Sequence, residues 1–92
     1  MLVSALSIRI LLHGCASLKE KRSVVKSVKE RLRNKFNLSV AEVGALDHHS
    51  FAEIGIAVVG SENRFNEEIL QKAVGFMEND FRFEIVSIER VI

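Results

Sequence analysis

The alternation at the start of the chain restricts the possible folds more than any other feature. From Leu2 to Leu12, the residues Leu2, Leu6, Ile8, Ile10 and Leu12 share one parity, and Val3, Ala5, Ser7, Arg9 and Leu11 share the other. Period-two alternation with one predominantly apolar side predicts a half-buried β-strand over residues 2–12. Such a strand must lay its apolar side on a second layer, and 92 residues leave room for one domain, 1–92, with one core.

Helices later in the chain supply the second layer. HGCA (13–16) breaks the alternation, and Ser17 with Glu20 three residues on forms a capping box that opens a helix running to about Asn34. LSVAEVGAL (38–46) and EIGIAVVG (53–60) then predict two strands joined by a hairpin loop containing Asp47, His48 and His49. Ser61 is placed to cap a second helix through about Asn79, with Glu62, Glu67 and Glu68 set to favour the positive end of its dipole. Residues 81–91 alternate again and close the chain as a strand. The order β-α-β-β-α-β, with right-handed crossovers, folds into a four-stranded antiparallel sheet with two helices on one face. This is the ferredoxin-like α+β sandwich.

Composition narrows the setting. A hydrophobic fraction of 48% and a charged fraction of 27% describe a globular chain that can bury a core without metal or disulfides. Cys15 is the single cysteine, so no internal disulfide forms, and a cytoplasmic location is expected. The apolar opening that reaches Cys15 resembles a lipoprotein signal. It lacks a basic leading region, however, and Arg9 interrupts its apolar run, so it is read as a strand. No uncharged run approaches the roughly 20 residues of a membrane helix.

The net charge of +1 conceals a strong segregation. Residues 17–36 hold eight basic and two acidic side chains, a local +6, while the remainder holds five basic and ten acidic, or −5. At about 100° per residue, Leu18, Val24, Val25, Val28, Leu32 and Phe36 cover one core-facing arc of this helix. Lys19, Arg22, Lys26, Lys29 and Arg33 fill a neighbouring arc that contains no acid and extends about 20 Å along the axis. Like charges at i,i+4 cost a few tenths of a kcal/mol per pair. A ridge without interspersed Glu therefore points to a polyanionic partner, held by its phosphates, the alternatives being a merely solvated face or a contact with the acidic second helix. Lys21 falls inside the apolar arc and is expected to snorkel past the sheet edge from the first turn.

Other clusters carry less. Asp47, His48 and His49 offer ligand-type side chains, but a metal site needs three or four that converge, and His13 is the only other imidazole. The loop after the first strand and this hairpin tip are not expected to share an end of the sheet, so no metal or cofactor is assigned. His13 to Ser17 lies between a strand end and a helix N-terminus, yet it has one glycine and no positioned arginine for a phosphate cradle. Cys15 lacks a suitably placed base, and no paired carboxylates occur, so no catalytic residue is assigned. Arg9 is expected to pair with Glu53 or Glu84 across the open sheet face, the alternative being that it extends the cationic surface. Ser7, Arg9, Leu11, Glu53, Gly55, Ala57 and Val59 line that face without an aromatic, which disfavours base stacking there.

SLKEKR directly after the first strand, then RLRNKFNLSVAEV and IGIAVVGS, resemble the YlxP-like family of small bacterial proteins across essentially the whole chain. The resemblance implies a ferredoxin-like fold and no catalytic residues. Members sit in gene neighbourhoods concerned with translation and ribosome maturation, which implies an association with RNA or a ribosomal particle. The expected function is thus a non-catalytic RNA- or ribosome-associated factor whose footprint is Lys19, Arg22, Lys26, Lys29 and Arg33. The alternative is a homo-oligomer, such as a dimer, that uses the open sheet face and the last strand.

Overall fold

The computed structural model describes residues 1–92. The elements follow in the expected order: β1 (Leu2–Leu12), α1 (Leu18–Lys35), β2 (Ser39–Gly44), β3 (Phe51–Gly60), α2 (Asn63–Glu78) and β4 (Phe83–Arg90). The strands form one antiparallel sheet in the order β2-β3-β1-β4, the ferredoxin-like α+β arrangement. β1 and β3 are central and pair over ten positions, from Leu2 opposite Gly60 to Leu11 opposite Phe51.

The parity read from β1 decides the layers. Leu6, Ile8, Ile10 and Leu12 are buried beneath the helices with Ala52, Ile54, Ile56 and Val58 of β3. Each fully buried Val, Leu or Ile side chain of this layer contributes about 1.5–3 kcal/mol relative to exposure. α1 sets Val25, Val28 and Leu32 on this layer, and α2 sets Leu70, Ala73 and Met77. Each helix precedes its apolar triplet with one fully buried polar residue four positions earlier, Lys21 in α1 and Asn66 in α2. The two βαβ halves thus repeat a pattern that residue identity hides. In both, the polar head ties the first turn of a helix to the sheet margin.

Asn66 donates through Nδ2 to the Leu2 carbonyl at 3.2 Å and to Ser4 Oγ at 3.3 Å. Its Oδ1 packs against Gly60, where any Cβ would collide with it.

Several local expectations need correction. Ser17 Oγ does accept the Glu20 N–H at 3.1 Å, but the Glu20 carboxylate reaches back to Ala16 N–H at 2.8 Å, one residue before the cap. The cap of α2 is Glu62 rather than Ser61, and it makes no side-chain cap bond. No acid occupies the first turn of α2. Glu67 instead pairs with Arg90 at 2.7 Å and Glu68 with Arg64 at 3.8 Å. β2 ends at Gly44, after a bulge at Val43 that shifts its register against β3, and the next residue, Ala45, turns left-handed (φ 55°). Residues 81 and 82 belong to the turn before β4, not to the strand.

The β1–α1 loop and the β2–β3 hairpin do share an end of the sheet: Leu12 N–H donates to the Ser50 carbonyl at 2.8 Å, and His13 N–H to the Arg82 carbonyl at 2.9 Å. Antiparallel pairing of β1 with β3 over its full length forces this proximity. No helix is long and apolar enough to cross a membrane.

Candidate functional site

α1 presents its cations on two flanks of its buried stripe. On the flank toward β2, Arg22, Lys26, Lys29 and Arg33 line one shallow groove of about 410 Å³, together with Val25, Glu30 and Glu42. Lys19 lies on the same flank, exposed at the helix start and outside the groove. Six ion pairs form within the chain, and none of these five residues takes part in one. Arg33 is the one with a polar partner: its Nη2 donates to the Val40 carbonyl at 3.0 Å and ties α1 to β2. The ridge does not meet α2, whose acids are engaged elsewhere or exposed.

Lys21 departs from expectation. It is fully buried rather than snorkelling, because the β2–β3 hairpin folds over it. Its ammonium donates to the carbonyls of Ala45 at 2.6 Å, His48 at 2.7 Å and Phe51 at 3.0 Å, and lies 2.8 Å from Glu42 Oε2. Burial of an ammonium is tolerable only with such complete compensation. Ala45 adopts a left-handed backbone, φ 55°, as its carbonyl turns inward to Lys21. Glu42 thus connects a structural ion pair to the groove floor. Partners 24 to 30 residues away leave no local trace around Lys21, so its role was illegible in the sequence.

On the opposite flank, Arg31 and Lys35 lie over the Phe76 ring, 5.1 and 4.9 Å from its centroid. Arg31 reaches Asp80 Oδ2 at 3.7 Å. Arg82 grips the same carboxylate through Nε at 2.9 Å and Nη2 at 2.6 Å, and its N–H donates to Oδ1 at 3.0 Å. The Arg82 fork holds the Asp80 carboxyl below the usual carboxylate range against the opposing effect of its burial. Asp80 reciprocally raises the Arg82 guanidinium.

On the open sheet face, Arg9 pairs with Glu53 directly opposite at 3.6 Å, as its register requires. An aromatic does reach this face. β3 begins at Phe51, earlier than the alternation suggested, and the Arg9 guanidinium covers its ring at 4.9 Å. A hollow of about 580 Å³ lies beside it, lined by small residues including Ala5, Ser7, Ala41, Gly55 and Ala57, with Val43 leaning over Gly55.

At the shared end of the sheet, His48 and His49 stack at 6.0 Å, but His48 Nδ1 accepts the Ser50 N–H at 3.2 Å. No three His, Cys, Asp or Glu side chains converge there or elsewhere as metal ligands. Cys15 is half-buried, and its thiol meets the Ser17 carbonyl at 3.4 Å.

Comparison with known proteins agrees with the motifs that flank this helix. The chain is 38% identical over 69 residues to the uncharacterized protein YlxP of Bacillus subtilis (strain 168), covering 75% of each chain. Residues 3–90 match a family described as a protein of unknown function, DUF503. The match runs from the second residue of β1 to the end of β4 and so takes in every strand and helix, and the chain belongs to that family.

Proposed function

We propose that this chain is a non-catalytic accessory protein of RNA or of a ribosomal particle, docking on phosphate backbone through Lys19, Arg22, Lys26, Lys29 and Arg33. The observation that carries this reading is the ridge itself: five cations without a carboxylate partner, four of them along one groove. Their mutual repulsion is not offset by any direct ion pair within the chain, although Glu30 and Glu42 share the groove and Arg33 holds the Val40 carbonyl. Phosphates spaced along the groove relieve it and release counterions. Backbone contacts of this type position an RNA without reading its sequence. Stacking on the sheet is disfavoured because Phe51, its one aromatic at the β1–β3 pair, lies under Arg9.

The test is binding of ribosomal RNA fragments by the variant Arg22→Glu/Lys26→Glu/Lys29→Glu. These three side chains make no internal hydrogen bond or ion pair, so the thermal midpoint should stay near that of the parent. RNA retention should disappear. Retention equal to the parent would remove the reading.

A second reading rests on the open sheet face, whose hollow is lined in part by the exposed Val43 and Val91 (56% and 63% exposed). An uncovered apolar patch of this kind suits a second copy of the chain. Light scattering of the parent and of Ala57→Arg at low and high salt tests it. Salt-insensitive assembly that the substitution dissolves supports the homo-oligomer, and a monomeric parent removes it.

A further inference from the structure

Phe81 is the most exposed large hydrophobic residue of the chain, 96% accessible, and nothing in the fold covers it. It is not loosely hung. The residues on either side, Asp80 and Arg82, are locked to one another by three hydrogen bonds, so the turn that projects the ring into solvent is itself held in place. Phe76, Arg31, Asn79, Asp80 and Arg82 join it around a hollow of about 450 Å³. One carboxylate there serves two guanidiniums, and Lys35 lies over the neighbouring Phe76 ring. The cluster therefore keeps a surplus of positive charge beside an uncovered aromatic face.

A ligand for such a place needs a flat π-surface attached to negative charge. A nucleotide of a single strand has both: its base stacks on an aromatic ring, and its phosphates meet guanidiniums. A base inside a duplex has both faces already stacked, which directs the site to loops and bulges. Asn79 adds an amide at the rim of the hollow, a donor and an acceptor for a base edge. The ridge on the other flank of α1 is about one helix diameter away, roughly 10–12 Å, so one RNA crossing α1 reaches both.

We propose that Phe81, flanked by Arg31 and Arg82, stacks an unpaired base of the RNA whose backbone the ridge holds. This rests on the RNA reading of the ridge and adds to it a preference for looped over fully paired RNA. The phosphate ridge supplies the salt-dependent part of binding; Phe81 supplies a part that salt leaves alone.

The experiment compares two probes, a stem-loop RNA with 2-aminopurine in its loop and a blunt duplex of the same stem. Each is titrated with the parent, Phe81→Ala, Phe81→Tyr and the triple ridge variant. Phe81→Ala should weaken the stem-loop roughly tenfold and abolish 2-aminopurine quenching, in line with about 1–3 kcal/mol per stacked base. Its duplex affinity and salt slope should match the parent, and Phe81→Tyr should retain both affinity and quenching. Because the ring faces solvent, Phe81→Ala should unfold at the parental temperature. Equal stem-loop binding by Phe81→Ala and the parent overturns the stacking role and leaves the ridge reading intact. A parent that binds neither RNA removes both. A fall in light-scattering mass with Phe81→Ala, at unaltered RNA affinity, assigns the ring to self-association and likewise overturns the proposal.

Discussion

The Lys21 ammonium and the Glu42 carboxylate meet at 2.8 Å with their side chains only 1% and 15% exposed, one on α1 and the other on β2. Three carbonyls of the β2–β3 hairpin complete the surroundings of the ammonium. The pair therefore fixes how α1, β2 and the hairpin close on one another, and its Glu42 also lines the cationic groove.

Lys21→Met should destabilise the protein by about 3–5 kcal/mol, because it leaves a buried carboxylate without its cation and takes the ammonium donor from three inward carbonyls. Replacing the partner as well, Lys21→Met/Glu42→Leu, should recover part of the loss. Urea unfolding of the parent, both single variants and the double variant gives the coupling directly. Strict additivity of the two single losses would contradict the role assigned to the pair.

Gly60→Ala should cost about 1–3 kcal/mol, the usual range for an added methyl in a packed interior. The new Cβ runs into Asn66 Oδ1, and Asn66 cannot swing aside while its Nδ2 holds Leu2 and Ser4. In an Asn66→Ala background the same substitution should be much milder. Chemical denaturation of the four combinations checks this.

Asp80 makes stability depend on acid pH. Its carboxyl titrates lower in the folded chain than in the unfolded one, chiefly because of the Arg82 hydrogen bonds. Between those two values the unfolded chain binds more protons, so stability falls as pH is lowered through that window. The contribution is complete above the ordinary carboxylate range near about 4 and gone below the folded value. Asp80→Asn should therefore melt below the parent at neutral pH, and the gap should shrink steadily from about pH 4 downward. A gap that stays constant from neutral pH into strong acid would refute the assignment.

Each ridge cation removed should flatten the salt dependence of RNA binding. The slope of log K against log salt should drop by about 0.7–0.9 for every phosphate left without its cation. Lys26→Ala and Lys29→Ala should behave alike and add. Arg33→Ala should also lower stability slightly, since it releases the Val40 carbonyl at the β2 edge. Filter binding from about 50 to 200 mM salt, paired with thermal melts, separates these effects.

Element order, the buried parity of β1 and β3, and the division of α1 into an apolar stripe and a cationic flank are all legible in the amino-acid order alone. Those properties are periodicities of about 2 and 3.6, set by backbone geometry within a few residues, so they survive without knowledge of the neighbours. Folding settled the features that periodicity does not encode. Lys21, on an apolar stripe, became a buried clasp because carbonyls 24 to 30 residues away close over it. Phe51 joined the open face because β3 pairs with β1 up to Leu11, and Phe81 was left in water because Asp80 and Arg82 lock the turn that bears it. Local repetition is written in neighbouring residues, whereas the fate of a lone polar or aromatic side chain depends on which distant backbone reaches it.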